Sequence, residues 1–84
     1  MQNIKDQLNT IVKLFNSGEK QIALNKISLL LQTNQKNIEL FLLHAKICIN
    51  LNKIDDAKQD YQNYIKFTPN AKDRGMIERA LNEM

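Results

Sequence analysis

The sequence predicts an all-α domain built as an α-solenoid, with two helix hairpins followed by a closing helix. Apolar residues recur at helical spacing in five segments, and short polar breaks separate these segments. The chain also repeats itself without a gap, so that positions 38–71 superimpose on positions 4–37. A helix–turn–helix unit with a period of about 34 residues is typical of one class of solenoid. With 84 residues, the chain is expected to form one domain.

The first hairpin is predicted from two apolar stripes. In segment 4–15 the apolar positions are Ile4, Leu8, Ile11, Val12 and Phe15. The break Asn16-Ser17-Gly18 follows, and Gly18 suits the left-handed end of a helix. In segment 20–32 the apolar positions are Ile22, Ala23, Ile27, Leu30 and Leu31. The polar run from Thr33 to Asn37 then predicts a turn.

The second hairpin begins with an unusually apolar helix. Asn37 can cap this helix, and Glu39 lies in its first turn. The helix is expected to run to about Leu51, and its central stretch LFLLHAKICIN is apolar on nearly every face. A helix of this kind is normally buried on several sides, so we expect neighbours on more than one face. Asn52 follows and suits a left-handed turn.

The last two helices are predicted from their starts and their apolar positions. Asp55 and Asp56 begin the fourth helix, where carboxylates suit the helix dipole. Its core-facing positions are Ala57, Tyr61, Tyr64 and Ile65, and Thr68-Pro69-Asn70 ends it. Asn70 and Asp73 resemble a capping pair for the last helix. That helix carries Met76, Ile77, Ala80 and Leu81.

Placing position 38 on position 4 aligns the second hairpin with the first. Gly18 falls on Asn52, and Ala23 falls on Ala57, where two helices must approach closely. The apolar pairs include Ile4 with Ile38, Leu8 with Leu42, Phe15 with Ile49, Ile27 with Tyr61, and Leu31 with Ile65. The sequence therefore predicts a single domain over 1–84, with repeat one at 4–37, repeat two at 38–71 and a capping helix at 72–84.

The stretch LNKIDDAKQDYQNYIKFTPN resembles the second half of a tetratricopeptide repeat (TPR). The matching residues are Ile54, Ala57, Tyr61, Ile65, Phe67, Pro69 and Asn70, with Phe41 and Ala45 upstream. The first repeat keeps Leu14, Gly18, Ala23, Ile27 and Leu31 but departs at Gln7, Ile11 and Gln35. The tail KDRGMIERALNEM is similar to the helix that closes many such arrays. The resemblance covers nearly the whole chain.

The resemblance implies where a partner would bind. In TPR proteins the first helix of each repeat lines a concave groove. By position, the predicted partner-binding groove contains Lys5, Leu8, Val12, Phe15, Glu39, Leu42, Leu43, Lys46 and Ile49, flanked by Asn9, Asn16 and Asn50. Five of these residues, Leu8, Val12, Phe15, Leu42 and Ile49, would form one exposed apolar strip. Phe41, Ala45 and Cys48 would face the core.

An exposed apolar strip usually marks a binding site. We therefore expect a non-catalytic protein–protein interaction module, a scaffold or adaptor. Its partner would be another protein or peptide, bound as a helix or an extended segment, or a second copy in a homodimer. Some TPR domains hold acidic chaperone tails in a clamp of Lys, Arg and Asn. The corresponding residues here are Leu8, Val12, Leu43, Asp73 and Ile77, so we do not expect a chaperone-tail binder.

The charge pattern leaves one alternative function. The net charge is +3, and the excess lies in residues 4–37. Lysines dominate and are spread among acids, whereas nucleic-acid binders usually show a denser stripe rich in Arg. We therefore do not expect nucleic acid as the partner. The alternative is a weakly basic nucleic-acid or ribonucleoprotein accessory that uses Lys5, Lys13, Lys20, Lys26 and Lys36.

The remaining features concern location and chemistry. Cys48 is the one cysteine, so it cannot form an internal disulfide, and a cytoplasmic protein is the simplest interpretation. The apolar run 40–51 is shorter than the ~20 residues of a membrane helix, and the N-terminus has no signal-peptide pattern.

His44 and Cys48 lie one helical turn apart, as a nucleophile with its base or half a metal site would. The chain has no further His or Cys, and no orienting residue is evident. We therefore expect no catalytic residue, metal or cofactor, with Cys48 in the core and His44 half-buried.

Overall fold

The computed structural model describes residues 3–35, 37–68, 72 and 74–84, and over these ranges the fold is all-α without a strand. The five helices are α1 (Ile4–Asn16), α2 (Lys20–Thr33), α3 (Ile38–Asn50), α4 (Ile54–Phe67) and α5 (Arg74–Glu83). The predicted fold class, two helix hairpins and a closing helix, is confirmed. The predicted capping pair Asn70 and Asp73 lies outside the described residues, as does Lys36.

The repeat period holds at the ends of the helices. α3 begins and ends at the positions that superimpose on the two ends of α1, and α4 does the same relative to α2. The helix caps follow the same offset. Asn3 accepts a hydrogen bond from the backbone N–H of Asp6 at 2.8 Å, and Asn37 accepts from Glu39 and Leu40 at 3.0 and 3.3 Å. These bonds satisfy N–H groups that the first turn of a helix leaves unpaired.

The two hairpin turns share one geometry. Gly18 and Asn52 have φ angles of 94° and 61°, which confirms both predicted left-handed positions. The next residue in each turn donates its backbone N–H to the last turn of the preceding helix. Glu19 donates to Leu14 at 2.9 Å, and Lys53 donates to Cys48 at 2.7 Å. This is the Schellman arrangement, which ends a helix and reverses the chain within a few residues.

The apolar character of α3 follows from its position. α3 packs against α2 on one side and α4 on another, while α1 packs against α2 and α5 against α4. Because two helices cover α3, it buries more than one face. Its buried residues are Leu40, Phe41, Ala45, Ile47 and Cys48. The predicted core positions Phe41, Ala45 and Cys48 are therefore confirmed.

Small residues let the helices of each hairpin approach closely. Ala23 and Ala57 are fully buried, as their equivalence in the repeat predicted. Tyr64 is buried and Tyr61 packs against the core, which fits their predicted packing role. Across the parts of the chain that the structure describes, none of the helices has the length and apolar character needed to cross a membrane.

Candidate functional site

The predicted groove residues lie on α1 and α3 and differ in exposure. Lys5, Glu39 and Lys46 are exposed. Two apolar residues are also exposed, Val12 at 37% and Ile49 at 38%. The half-buried members are Leu8, Leu42 and Leu43, of which Leu8 and Leu43 pack against the core. We call these eight residues the α1–α3 face.

Phe15 does not belong to the exposed strip, so this part of the prediction is wrong. Its side chain is only 9% exposed and lies in the core cluster. The ammonium groups of Lys20 and Lys46 lie 5.6 and 5.7 Å from the centre of its ring. Phe15 is in the last turn of α1, where the chain reverses into α2, and these contacts reach α2 and α3. The ring is therefore drawn inward and covered by two cations.

Val12 and Ile49 remain as exposed apolar residues of the α1–α3 face after this correction. Val12 lies about one turn before Phe15 in α1, and Ile49 lies about one turn after Lys46 in α3. Charges of both signs accompany them, since Lys5 and Lys46 are basic and Glu39 is acidic. Large apolar side chains framed by polar ones are typical of interaction surfaces.

A second cluster of functional groups lies between α3 and α4. His44 and Cys48 are one turn apart on α3, as predicted, and Asp60 reaches them from α4. Nδ1 of His44 hydrogen-bonds to Oδ2 of Asp60. Sγ of Cys48 lies 3.6 Å from Nδ1 and 3.8 Å from Nε2 of the same ring. Cys48 and Asp60 are buried, while the His44 side chain is 14% exposed.

Asp60 is the orienting residue that sequence reasoning did not find. No such residue is evident from the sequence, whereas the structure pairs Asp60 with His44. A signal was present in the sequence, because Asp60 follows Ala57 by three residues and precedes Tyr64 by four. It therefore lies on the buried stripe of α4, where a carboxylate is rare unless it is paired.

The environment of Cys48 does not favour nucleophilic chemistry. Burial raises the pKa of its thiol to about 11, and the nearby charges of Asp60 and Asp56 act in the same direction. The thiolate is the reactive form of cysteine, and at neutral pH this thiol keeps its proton. Sγ is also enclosed in the core, where a substrate could not reach it.

Burial and pairing have opposite effects on the pKa of the Asp60 carboxyl group. Burial raises the pKa of its carboxyl group, and the hydrogen bond from His44 opposes that rise. A buried carboxylate remains charged only when a partner compensates for the lost hydration. His44 therefore determines how readily the cluster carries negative charge.

The lysines of the alternative function are only partly described. Lys5, Lys13 and Lys26 are exposed. Lys20 is half-buried, and its ammonium lies 3.5 Å from Oδ1 of Asn50 as well as over Phe15. Lys36 lies outside the described residues, as does Asp73 of the chaperone-clamp comparison. Solvated lysines of this kind do not by themselves indicate a phosphate-binding surface.

The fold and its surfaces define an all-α protein of two helical-hairpin repeats. Comparison of the chain with known protein families, curated proteins and solved structures finds no match. The function is therefore argued from the α1–α3 face and the buried cluster.

Proposed function

We propose that this protein is a non-catalytic protein-interaction module of the TPR type, a scaffold or adaptor that binds through the α1–α3 face. Its partner is an amphipathic helix or a peptide of another protein, or a second copy of the chain. The observation that carries this proposal is the exposure of Val12 and Ile49, each more than a third accessible, on the helices that line the groove in TPR arrays.

The TPR assignment is supported by features that recur at equivalent positions of the two hairpins. Helix ends, asparagine caps and Schellman turns all recur in this way. Ala23 and Ala57 are both fully buried at equivalent positions. A helix–turn–helix repeat of about 34 residues is the basic unit of a TPR array.

The chemistry of the α1–α3 face favours a partner that is itself amphipathic. Leu42 and Ile49 are seven residues apart on α3, which is two helical turns, and an incoming helix offers anchors at the same spacing. Lys46 and Glu39 can pair with charges beside those anchors. The buried free thiol of Cys48 fits a reducing compartment such as the cytoplasm.

Self-association is tested first, by light scattering over a micromolar dilution series. The informative variant is Ile49→Asp, and the matched control is Ile22→Asp, which makes the same change at an exposed isoleucine of α2. If the partner is a second copy, the wild type and the control dimerise and Ile49→Asp remains monomeric. Circular dichroism should show the same helicity for all three proteins, because both isoleucines lie at the surface.

A partner other than a second copy is tested by photo-crosslinking. A photoreactive amino acid replaces Ile49 in one variant and Ile22 in another, and both are expressed in cells that naturally contain the protein. The proposal predicts a discrete adduct from position 49 that is absent from position 22. A monomeric wild type with equal or no adducts at the two positions would refute the proposed binding face.

A further inference from the structure

The buried cluster between α3 and α4 has the composition of a metal site. Among the described residues, His44, Cys48 and Asp60 are the one group of three such side chains whose potential ligand atoms all lie within 4.8 Å of one another. The three offer a sulfur, a ring nitrogen and a carboxylate oxygen. We propose that His44, Cys48 and Asp60 bind a zinc ion, with water as the fourth ligand.

The distances are close to those of a zinc site. Zinc binds thiolate sulfur at about 2.3 Å and imidazole nitrogen at about 2.0–2.1 Å. At a tetrahedral angle, two such ligands are about 3.5 Å apart. The observed separation of Sγ of Cys48 from Nδ1 of His44 is 3.6 Å. The contact between Nδ1 and Oδ2 of Asp60 must open, so that two bonds to the metal replace the hydrogen bond.

The charges of the three ligands match a divalent cation. The thiolate of Cys48 and the carboxylate of Asp60 together carry two negative charges, which Zn²⁺ neutralises inside the core. On binding, the thiol of Cys48 releases one proton to solvent. The hydrogen that Nδ1 of His44 shares with Asp60 must also leave that atom: a protonated ring releases it to solvent, whereas a neutral ring keeps it at Nε2. Asp56, about one turn before Asp60 on α4, adds negative charge nearby and favours a cation further.

The position of the cluster indicates what the ion would do. Two ligands come from α3 and one from α4, so zinc would cross-link the two helices of the second hairpin. A structural zinc ion stabilises the folded state because the unfolded chain does not hold its ligands together. The 14% exposure of the His44 side chain gives the ion and its water ligand a route from solvent.

Cobalt(II) provides the most direct test, because it substitutes for zinc and reports its ligands by absorption. The chain contains one cysteine, so a sulfur-to-cobalt charge-transfer band can arise only from Cys48. The metal-free wild-type protein is titrated with Co²⁺ and then with Zn²⁺. We expect the charge-transfer band and tetrahedral visible bands to appear at one equivalent of Co²⁺ and to disappear as Zn²⁺ displaces it.

Variants identify the other two ligands and the effect on stability. Asp60→Asn and His44→Gln should each weaken Zn²⁺ binding by about 100-fold or more, while the control Asp55→Asn, an exposed aspartate of α4, should bind as the wild type does. Zn²⁺ at 100 times its dissociation constant should raise the wild-type melting temperature by on the order of 10 °C. Circular dichroism of the metal-free variants establishes that they are folded.

Two results would overturn the zinc proposal. If the folded wild type gives no sulfur-to-cobalt band, Cys48 is not a ligand and the proposal is overturned. Wild-type affinity in folded Asp60→Asn and His44→Gln would overturn it as well. If a variant does not fold, the wild-type titration still decides the question.

Discussion

The buried pair of His44 and Asp60 makes the sharpest prediction about stability. In His44→Leu, the carboxylate of Asp60 loses its imidazole partner while its side chain stays 7% exposed. Removing one member of a buried charged pair costs about 3–5 kcal/mol, because the other is left without compensation. At roughly 0.05–0.15 kcal/mol per residue, a domain of 84 residues has about 4–13 kcal/mol in total. His44→Leu should therefore lose a large part of the free energy of unfolding.

The double variant His44→Leu/Asp60→Leu tests the reason for this loss. Replacing a buried charged pair with apolar residues of similar volume is often neutral or stabilising. The double variant should therefore recover most of the stability that His44→Leu loses. Burial raises the pKa of the Asp60 carboxyl group, and removing His44 should raise it further. Protonation of Asp60 then favours the folded state, so the difference in stability between His44→Leu and the double variant should narrow as the pH is lowered.

Urea denaturation followed by circular dichroism measures these differences, in the presence of a chelator so that no metal contributes. The control is Asp55→Leu, which changes an exposed aspartate of the same helix and should stay within about 0.5 kcal/mol of the wild type. A loss below about 1 kcal/mol for His44→Leu would refute the reasoning. The reasoning would also be refuted if the double variant lost as much free energy of unfolding as His44→Leu and Asp60→Leu lose together.

Three further predictions concern the thiol, the core and the turn. Between pH 9 and pH 11, the free energy of unfolding of the wild type should fall by up to about 3 kcal/mol relative to that of Cys48→Ala. The reason is that the unfolded chain releases the thiol proton near pH 9.0, whereas the buried thiol releases it only near pH 11. Parallel pH profiles of the two proteins in urea denaturation would contradict this prediction. Ala57→Leu should cost about 1–3 kcal/mol through overpacking, and an unchanged melting temperature would count against the close helix approach. Gly18→Ala should cost about 1–2 kcal/mol of stability and Gly18→Asn less, because φ is 94° at this position. A methyl group at Gly18 would meet nothing within 4 Å, so the cost would come from the backbone and not from a clash. Equal melting temperatures for both variants and the wild type would rule out backbone strain.

Local signals account for the accuracy of the predicted helices and turns. Apolar spacing and polar breaks depend on neighbouring residues, so the sequence specifies them directly. Gly18 and Asn52 could be identified because few residue types accept a positive φ. The core role of Ala57 followed from its match to Ala23 across the repeat. For the helices and turns, one short segment contains the necessary information, whereas the role of Ala57 required two segments to be compared.

The errors arose where two helices meet. Phe15 fits the apolar strip of α1 by spacing, but its burial depends on how the last turn of α1 approaches α2 and α3. Asp60 is 16 residues from His44, and the helical period alone cannot show which residue of α4 faces that ring. A carboxylate on the stripe of Ala57 and Tyr64 indicated an inward partner without identifying it.

The two hairpins differ at three equivalent positions, and this difference bears on the buried cluster. At the positions of the first hairpin that superimpose on His44, Cys48 and Asp60, the chain has Thr10, Leu14 and Lys26. There the structure has an open cleft of about 270 Å³, lined by Gln7, Thr10, Ile11, Lys26, Leu29 and Leu30. The first hairpin therefore folds without a polar cluster at these positions. A buried charged pair is weak evidence for stability, so stability alone does not explain why the second hairpin contains the cluster, whereas the zinc site that we propose would explain it.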